Sequence, residues 1–439
     1  MKTRFAPSPT GYLHSGNYRT AVFAYLHAKK EGGTFALRIE DTDRERSKKE
    51  YEDNILESLK WLDLPWDEFA RQSENAPKHR ALIEQLIAEG KAYVSKEEPK
   101  EEGGRTEVIR FRNPGGIVSF TDLIRGEIGM DVTDLGDFVI AKSLDEPVFH
   151  FAVVADDAAM QVTHIVRGED HISNTPRQVL IWRALGLTPP AYAHLPLVLS
   201  GDRTKLSKRK GAKALTDYRD AGILPEAMLN YLAFLGWNPG DEREYMTRDE
   251  LAAAFSFDRV QKSPAVFDET KLLSINQHWM RLLSDDDFIM RGNLSAPDPA
   301  LLRKAVPVIK ERAKSFGEAR DMLSGELSCL FAKPAPAREH LAAKQPDGGA
   351  AAVAGHLRDA AAAIKNLPDD FNADAAKSAL MPLADAVPKE EGGRGAVLWP
   401  LRYALSGLER SPDPFTLASI LGRAESLSRI ETALGILGE

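Results

Sequence analysis

Cysteine is nearly absent: the 439-residue chain has one, Cys329. A single thiol excludes an intramolecular disulfide framework and any all-cysteine zinc site, and it suits a reducing compartment. No run approaches the roughly eighteen uninterrupted apolar residues of a membrane span. The opening segment Met1-Lys2-Thr3-Arg4-Phe5-Ala6-Pro7 has no apolar core of the kind a secretory signal needs, and the expectation is a cytosolic protein. A surplus of positive charge is also lacking. Lys and Arg number 57 against 65 Asp and Glu, a formal net charge of -8, so a nucleic-acid partner would have to be met by local basic patches. The first predicted strand, turn and helix contain no GxGxxG, which disfavours a dinucleotide site and with it hydride transfer.

What is there reads as ordinary globular protein, 43% hydrophobic and 28% charged. Its length exceeds one core and implies about two to four domains. Residues 2 to 6 form a short predicted strand ending at Pro7, and Pro7-Ser8-Pro9-Thr10-Gly11 reads as a loop. A helix should start near Gly16, run to Lys30 and stop at Gly32-Gly33. A second strand, Thr34 to Ile39, runs into Glu40-Asp41-Thr42-Asp43, and helices are expected at about Ser47 to Asp63 and Pro77 to Glu89. This alternation argues for a parallel sheet, with ligands at the carboxyl ends of its strands.

From about Ala92 to Ile140 the texture changes to a charged, glycine-containing stretch with β-like runs at Glu107 to Phe111, Gly126 to Val132 and Phe138 to Ala141, which reads as an insertion. The earlier pattern resumes with strand-like runs at Phe149 to Ala155 and Val162 to Val166, a helix at about Pro176 to Leu185 and a strand at Leu195 to Leu199. A split Rossmann-type domain accounts for this order. Beyond about Thr216 helical segments take over, at Pro225 to Leu235, Arg248 to Ala254 and through an Ala-rich tail that includes Ala350 to Ala363, with loops at Gly348-Gly349 and Gly392-Gly393. The fold class is therefore α/β plus all-α.

Two segments carry chemistry. The first is Pro7 to Asn17, between a strand and a helix, where Gly11 and Gly16 permit close backbone approach, the helix N-terminus offers free N-H groups and His14 can donate to a phosphate oxygen. Its bland reading is a capped helix with an incidental histidine. The second is Thr204-Lys205-Leu206-Ser207-Lys208-Arg209-Lys210-Gly211, with four cations in residues 205 to 210. Their mutual repulsion calls for an anion, and lysines three apart in a loop can reach oxygens on both sides of a phosphorus centre. Its bland reading is a solvated loop.

Taken together, the pair resembles the HIGH and KMSKS signatures of class I aminoacyl-tRNA synthetases, present as His14-Ser15-Gly16-Asn17 and Lys205-Leu206-Ser207-Lys208-Arg209. Arg4 to Gly11, Leu37-Arg38-Ile39-Glu40-Asp41-Thr42-Asp43 and Val166-Arg167-Gly168-Glu169-Asp170-His171 resemble bacterial glutamyl-tRNA synthetases. The similarity continues through Leu224 to Leu232, Phe267-Asp268, Leu398 to Arg402 and Ala404 to Gly407, so it spans essentially the whole chain.

That resemblance implies a Rossmann-type catalytic domain at 1–91 and 141–215, a shortened acceptor-end-binding insertion at 92–140, a stem-contact domain at 216–295 and a helical anticodon-binding domain at 296–439. It implies activation of glutamate by ATP with magnesium on the phosphates, then transfer to the terminal adenosine of tRNA for glutamate, for glutamine, or for both, by a monomer. His14, Lys205 and Lys208 would be catalytic through charge stabilisation, with no protein nucleophile. Thr10, Gly11, Gly16, Asn17, Asp170, Leu197, Val198 and Ser207 would join them around ATP. Arg4 and Arg167 would meet carboxylates, Glu40 the ammonium, and Ala6, Ser8 and Phe149 would complete the glutamate pocket. Three departures stand out. Ser15 replaces the usual aliphatic residue of HIGH, Phe149 stands where relatives commonly carry tyrosine, and residues 92–140 contain no cysteine, so no structural zinc is expected. The rival readings are a paralogue that glutamylates a tRNA base, which would lack the helical half, a glutaminyl-tRNA synthetase, a non-RNA nucleotidyltransferase and a non-catalytic paralogue.

Overall fold

Alternating apolar strands and amphipathic helices build one seven-stranded sheet. Across it run Glu68–Arg71, Thr34–Ile39, Lys2–Phe5, His164–Gly168, Ala191–Leu195, Ile117–Asp122 and Gly126–Asp131. Every pairing is parallel except the last hairpin, as the alternation predicts. The computed structural model describes residues 1–98, 106–204, 213–343 and 349–438. It divides into two units, Met1–Asn276 and Gln277–Glu439.

In the first unit the chain lays down strands in one direction from Lys2–Phe5 and returns to place His164–Gly168 on the other side of that strand. Such a reversal opens a crevice at the carboxyl ends of the two central strands. The helix Ser15–Lys30 covers the sheet with Tyr18, Val22, Phe23 and Leu26, all buried, each such side chain contributing about 1.5–3 kcal/mol by leaving water. Its first turn carries no acidic residue, while His27, Lys29 and Lys30 occupy the last. The positive end of the helix is thus left for an anion and the negative end is matched by cations.

Three readings are corrected. Phe149–Ala155 belongs to the helix Phe149–Ala159, not to a strand. A continuous apolar run cannot separate a buried strand from a buried helix, and this helix is buried from Phe151 to Asp157. The strand expected at Leu195 to Leu199 is two elements, Ala191–Leu195 in the main sheet and Val198–Leu199 paired with Ala265–Val266. The segment 92–140 does not stand apart from the sheet. Ala92–Lys96, Glu107–Phe111, Phe138–Ser143 and Glu146–Pro147 form their own antiparallel sheet, but Ile117–Asp122 joins the main one through Tyr192 opposite Asp122.

The second unit is helical among its described residues, from Asp285–Gly292 to Pro414–Leu437. Ala350–Lys365 is a helix as expected, and Gly392-Gly393 lies between helical segments; Gly348 is outside the described residues. The last helix bends at Gly422, whose φ of 78° suits only glycine. Beyond the bend, buried Arg429 donates to the carbonyls of Cys329 and Leu405, each at 2.7 Å. No helix among the described residues is long and apolar enough to cross a membrane.

Candidate active site

A cleft of about 400 Å³ occupies the crevice. Arg4, Ala6, Ser8, His14, Gly16, Asn17, Glu40, Phe149, Arg167, Asp170, Leu197 and Val198 all line it, with His171 and Arg19. Strand order explains the convergence. Arg4 and Arg167 leave neighbouring strands near their carboxyl ends, Glu40 follows the next strand directly, and His14 precedes the covering helix. Thr10 and Gly11, expected around ATP, are not in the lining. Thr10 is exposed, and a Cβ on Gly11 would meet nothing within 4 Å. At Gly16 a Cβ would stand 3.1 Å from two atoms of the His14 ring and 3.5 Å from Val198 Cβ.

Lys205, Ser207 and Lys208 lie outside the described residues. The residues that flank them do not: Val198 lines the cleft, and Ala214 forms an isolated antiparallel bridge with His14. Asn17 Oδ1 accepts from the His14 N-H at 3.1 Å and holds the mouth of the helix in shape.

Below the cleft floor lies a buried ion cluster. Arg4 grips both oxygens of Asp157, at 2.9 and 3.3 Å. Arg38, wholly buried, donates to Asp157 at 2.6 Å and to Glu40 at 3.0 Å, with Asp156 at 4.0 Å. Burial opposes the Arg38 charge, but Asp157, Glu40 and Asp156 outweigh it and raise its pKa. Burial likewise opposes the charge on Asp157, and there Arg38 and Arg4 win, holding its carboxyl below the usual range. Glu40 differs, for burial pushes its pKa up against the pull of Arg38 and Arg4. Asp156 accepts from Gln72 at 2.7 Å and Asn75 at 2.9 Å and meets His79 at 2.8 Å.

Arg167 is built otherwise. Its Nε faces His194 Nε2 at 3.1 Å, and its two terminal nitrogens donate to Gln178 Oε1 and Thr175 Oγ1, both at 2.7 Å. The guanidinium lies over the Tyr192 ring, 5.2 Å from its centroid. All these partners are uncharged, and burial pulls the Arg167 pKa down to about 10. Arg19 is similar, hydrogen-bonded to the main-chain carbonyls of Leu235 and Pro196, with burial drawing its pKa down to about 10. Carboxylates act on both from a distance, Glu169 on Arg19 and Asp157 and Glu40 on Arg167, but a buried cation with no carboxylate in direct contact is costly unless an anion arrives. Beside Arg167, burial first and that guanidinium second lower the His171 pKa to about 4. The imidazole is therefore neutral at pH 7, with the Phe149 ring 5.6 Å away.

Sequence reasoning missed Arg19, Arg38, Asp122, Asp156, Asp157 and His194. Arg38 had a signal: it interrupts the apolar strand Thr34–Ile39 at a position buried on both sides, and buried arginines are almost always paired. The others had none, because their partners lie far away in sequence, 153 residues for Arg4 and Asp157.

Comparison with known proteins agrees with this geometry. The pattern described as "tRNA synthetases class I (E and Q), catalytic domain" matches residues 1–102 and 96–274, and that described as "Anticodon binding domain" matches 273–434. A glutamate–tRNA ligase of Heliobacterium modesticaldum is 39% identical over 100% of this chain and 97% of its own length. One from Oleidesulfovibrio alaskensis is 40% identical over 99% of each. The crystal structure of a glutamate tRNA ligase from Elizabethkingia meningosepticum, in complex with its amino acid, superposes with a TM-score of 0.85 at 31% identity, covering 100% of this chain and 99% of that one. With a reversed parallel sheet, a histidine at a helix mouth in its crevice and similarity along its whole length, the chain belongs to the class I aminoacyl-tRNA synthetases, within the glutamate–tRNA ligase family.

Proposed function

We propose that the protein activates L-glutamate with ATP and transfers it to the 3′-terminal adenosine of tRNA. The observation that carries this reading is Arg167, a buried guanidinium in the cleft whose described partners are all neutral. Three of its five N-H bonds are used, and two remain for the fork that a carboxylate accepts. Arg4 has much of its fork committed to Asp157, so its share is positive potential rather than a bidentate clamp. Glu40 holds the substrate ammonium, and Ser8, Ala6 and Phe149 bound the same pocket.

The glutamate α-carboxylate attacks the ATP α-phosphate in line, forming glutamyl-adenylate and releasing pyrophosphate. His14 and the N-terminus of Ser15–Lys30 stabilise phosphate charge, with Gly16, Asn17 and Asp170 around the nucleotide and Leu197-Val198 beside the adenine. Lys205 and Lys208 neutralise the departing pyrophosphate, Ser207 lies between them, and magnesium enters with the ATP phosphates. Catalysis is positioning and electrostatics, with no covalent enzyme intermediate. A tRNA ribose hydroxyl then takes the acyl group. Residues 92–140 meet the acceptor end, 216–295 the stem and 296–439 the anticodon, and the enzyme works as a cytoplasmic monomer.

The test is ATP–pyrophosphate exchange with and without tRNA, followed by aminoacylation of the purified tRNAs for glutamate and glutamine. Glutamate-dependent exchange and charging of the glutamate tRNA are expected. Exchange that needs no glutamate, or glutamylation of a base in place of the terminal ribose, would refute the reading.

A further inference from the structure

The turn between the strands Ile117–Asp122 and Gly126–Asp131 reaches back toward the cleft. Asp122, 2% exposed, accepts from His194 twice through Oδ2, at 2.6 Å from Nδ1 and 3.0 Å from the backbone N-H. Its Oδ1 accepts from the backbone N-H groups of Ile124 and Arg125, both at 2.9 Å. A carboxylate with so many donors stays ionised: burial opposes its charge, but His194 and these N-H groups outweigh it. His194 is itself wholly buried. Its Nδ1 proton is committed to Asp122, so its Nε2 lone pair faces outward, 3.1 Å from Arg167 Nε and 3.1 Å from Thr175 Oγ1. A guanidinium can only donate, so this contact requires the neutral imidazole with its proton on Nδ1. The Tyr192 ring, under the guanidinium, stacks on the imidazole at 9°.

We propose that Asp122 and His194 are positioning residues for selection of the substrate side-chain carboxylate: Asp122 fixes the tautomer of His194, and His194 fixes the plane of the Arg167 fork. This rests on the glutamate reading above and deepens it. Selection of a carboxylate over a carboxamide then depends on a residue of segment 92–140, read from sequence as an RNA-contacting insertion. A fork held square to its ligand loses most when the plane turns, because both hydrogen bonds of a bidentate pair weaken together. An apolar pair of similar size would fill the same space and leave that plane free.

The experiment is ATP–pyrophosphate exchange with tRNA, titrating glutamate, glutamine and ATP, for the wild type, Asp122→Asn, His194→Asn and His194→Gln, with circular dichroism to establish folding. Asp122→Asn can present an amide N-H to Nδ1, which moves the imidazole proton to Nε2 and sets a donor against a donor at Arg167. The expected result is a glutamate KM raised about tenfold, with kcat and ATP KM within about threefold and a smaller preference for glutamate over glutamine. His194→Gln places an amide oxygen where Nε2 stood and should stay within about threefold of the wild type, whereas His194→Asn reaches only the Nδ1 position and should behave like Asp122→Asn.

A folded Asp122→Asn or His194→Asn variant with an unchanged glutamate KM, equal losses for glutamate and ATP, or equal damage from Gln and Asn at 194 would each overturn the proposal. If Asp122→Asn fails to fold, the two His194 variants decide it. A wild type without glutamate-dependent exchange overturns the glutamate reading and this proposal together, while an active wild type with indifferent variants overturns this one alone.

Discussion

Replacing Arg167 by lysine keeps the charge and removes the fork. The native guanidinium serves three neutral acceptors from three different nitrogens, at 3.1, 2.7 and 2.7 Å, and still has two N-H bonds to offer. An ammonium has three donors on one atom. It cannot reach His194, Gln178 and Thr175 together and also meet a carboxylate along two parallel bonds. The variant therefore loses at least one charge-assisted hydrogen bond to substrate, about 1.5–3 kcal/mol, or roughly tenfold to a hundredfold in glutamate KM. It also orphans one or more buried acceptors in the free protein, at about 1 kcal/mol each, so a modest fall in Tm should accompany the kinetic change. The assay is ATP–pyrophosphate exchange with tRNA at saturating ATP, with glutamate and glutamine titrated separately. A glutamate KM within twofold of the wild type in a folded protein, or an equal loss in ATP KM, would refute the assignment of Arg167 to the substrate carboxylate.

Gly16→Ala puts a methyl 3.1 Å from the His14 ring while adding helix propensity; the Tm should hold or rise and the ATP KM should increase about tenfold, as read by a melt and an ATP titration. Arg38→Leu removes the cation paired with both Glu40 and Asp157 and leaves Arg4 as the cation for the two carboxylates; urea unfolding should show a loss of about 3–5 kcal/mol. His27, packed 4.6 Å from the Phe257 ring and 5.2 Å from that of His164, has its pKa lowered by burial from 6.5 to about 4. Its contribution is complete above pH 6.5 and is lost as pH falls toward 4, because there the unfolded chain binds a proton that the folded chain refuses. His27→Phe should therefore flatten the decline of Tm across that window, and an unchanged slope would count against it.

The parallel sheet and the covering helix were legible because each depends on neighbours in sequence: Thr34–Ile39 is a predicted strand with the bounds it takes in the structure. The edge strand Glu68–Arg71 was not, since four residues, half of them charged, half exposed and none buried, carry no apolar period. The residues around the cleft were legible where they sat in a motif, and even there two of the loop residues, Thr10 and Gly11, fall outside it. A loop motif fixes which backbone turns, while the side chains that face a ligand depend on the strand beside it. His194 illustrates the limit. In sequence it is a histidine just ahead of the strand expected at Leu195 to Leu199, and the structure places it within the strand Ala191–Leu195. Its meaning comes from Asp122 on one side and Arg167 on the other, 72 and 27 residues away.

Charge placement around the cleft is what the proposed binding of an acid rests on. Arg4 and Arg38 face Asp157 and Glu40 in close ion pairs, so that pair of cations adds rigidity, and the potential Arg4 lends the cleft is partly offset. Arg167 and Arg19 are buried at the same cleft with neutral side chains and main-chain carbonyls as their hydrogen-bond partners. Desolvation weakens the hold of each on its proton, lowering both pKa values to about 10, and this is a standing cost in the free protein. An anionic ligand removes that cost when it binds, and a neutral isostere such as a carboxamide does not. On the proposed reading, selectivity for a carboxylate would follow from leaving two arginines incompletely compensated, and placing an acidic side chain beside either should stabilise the fold while raising the glutamate KM.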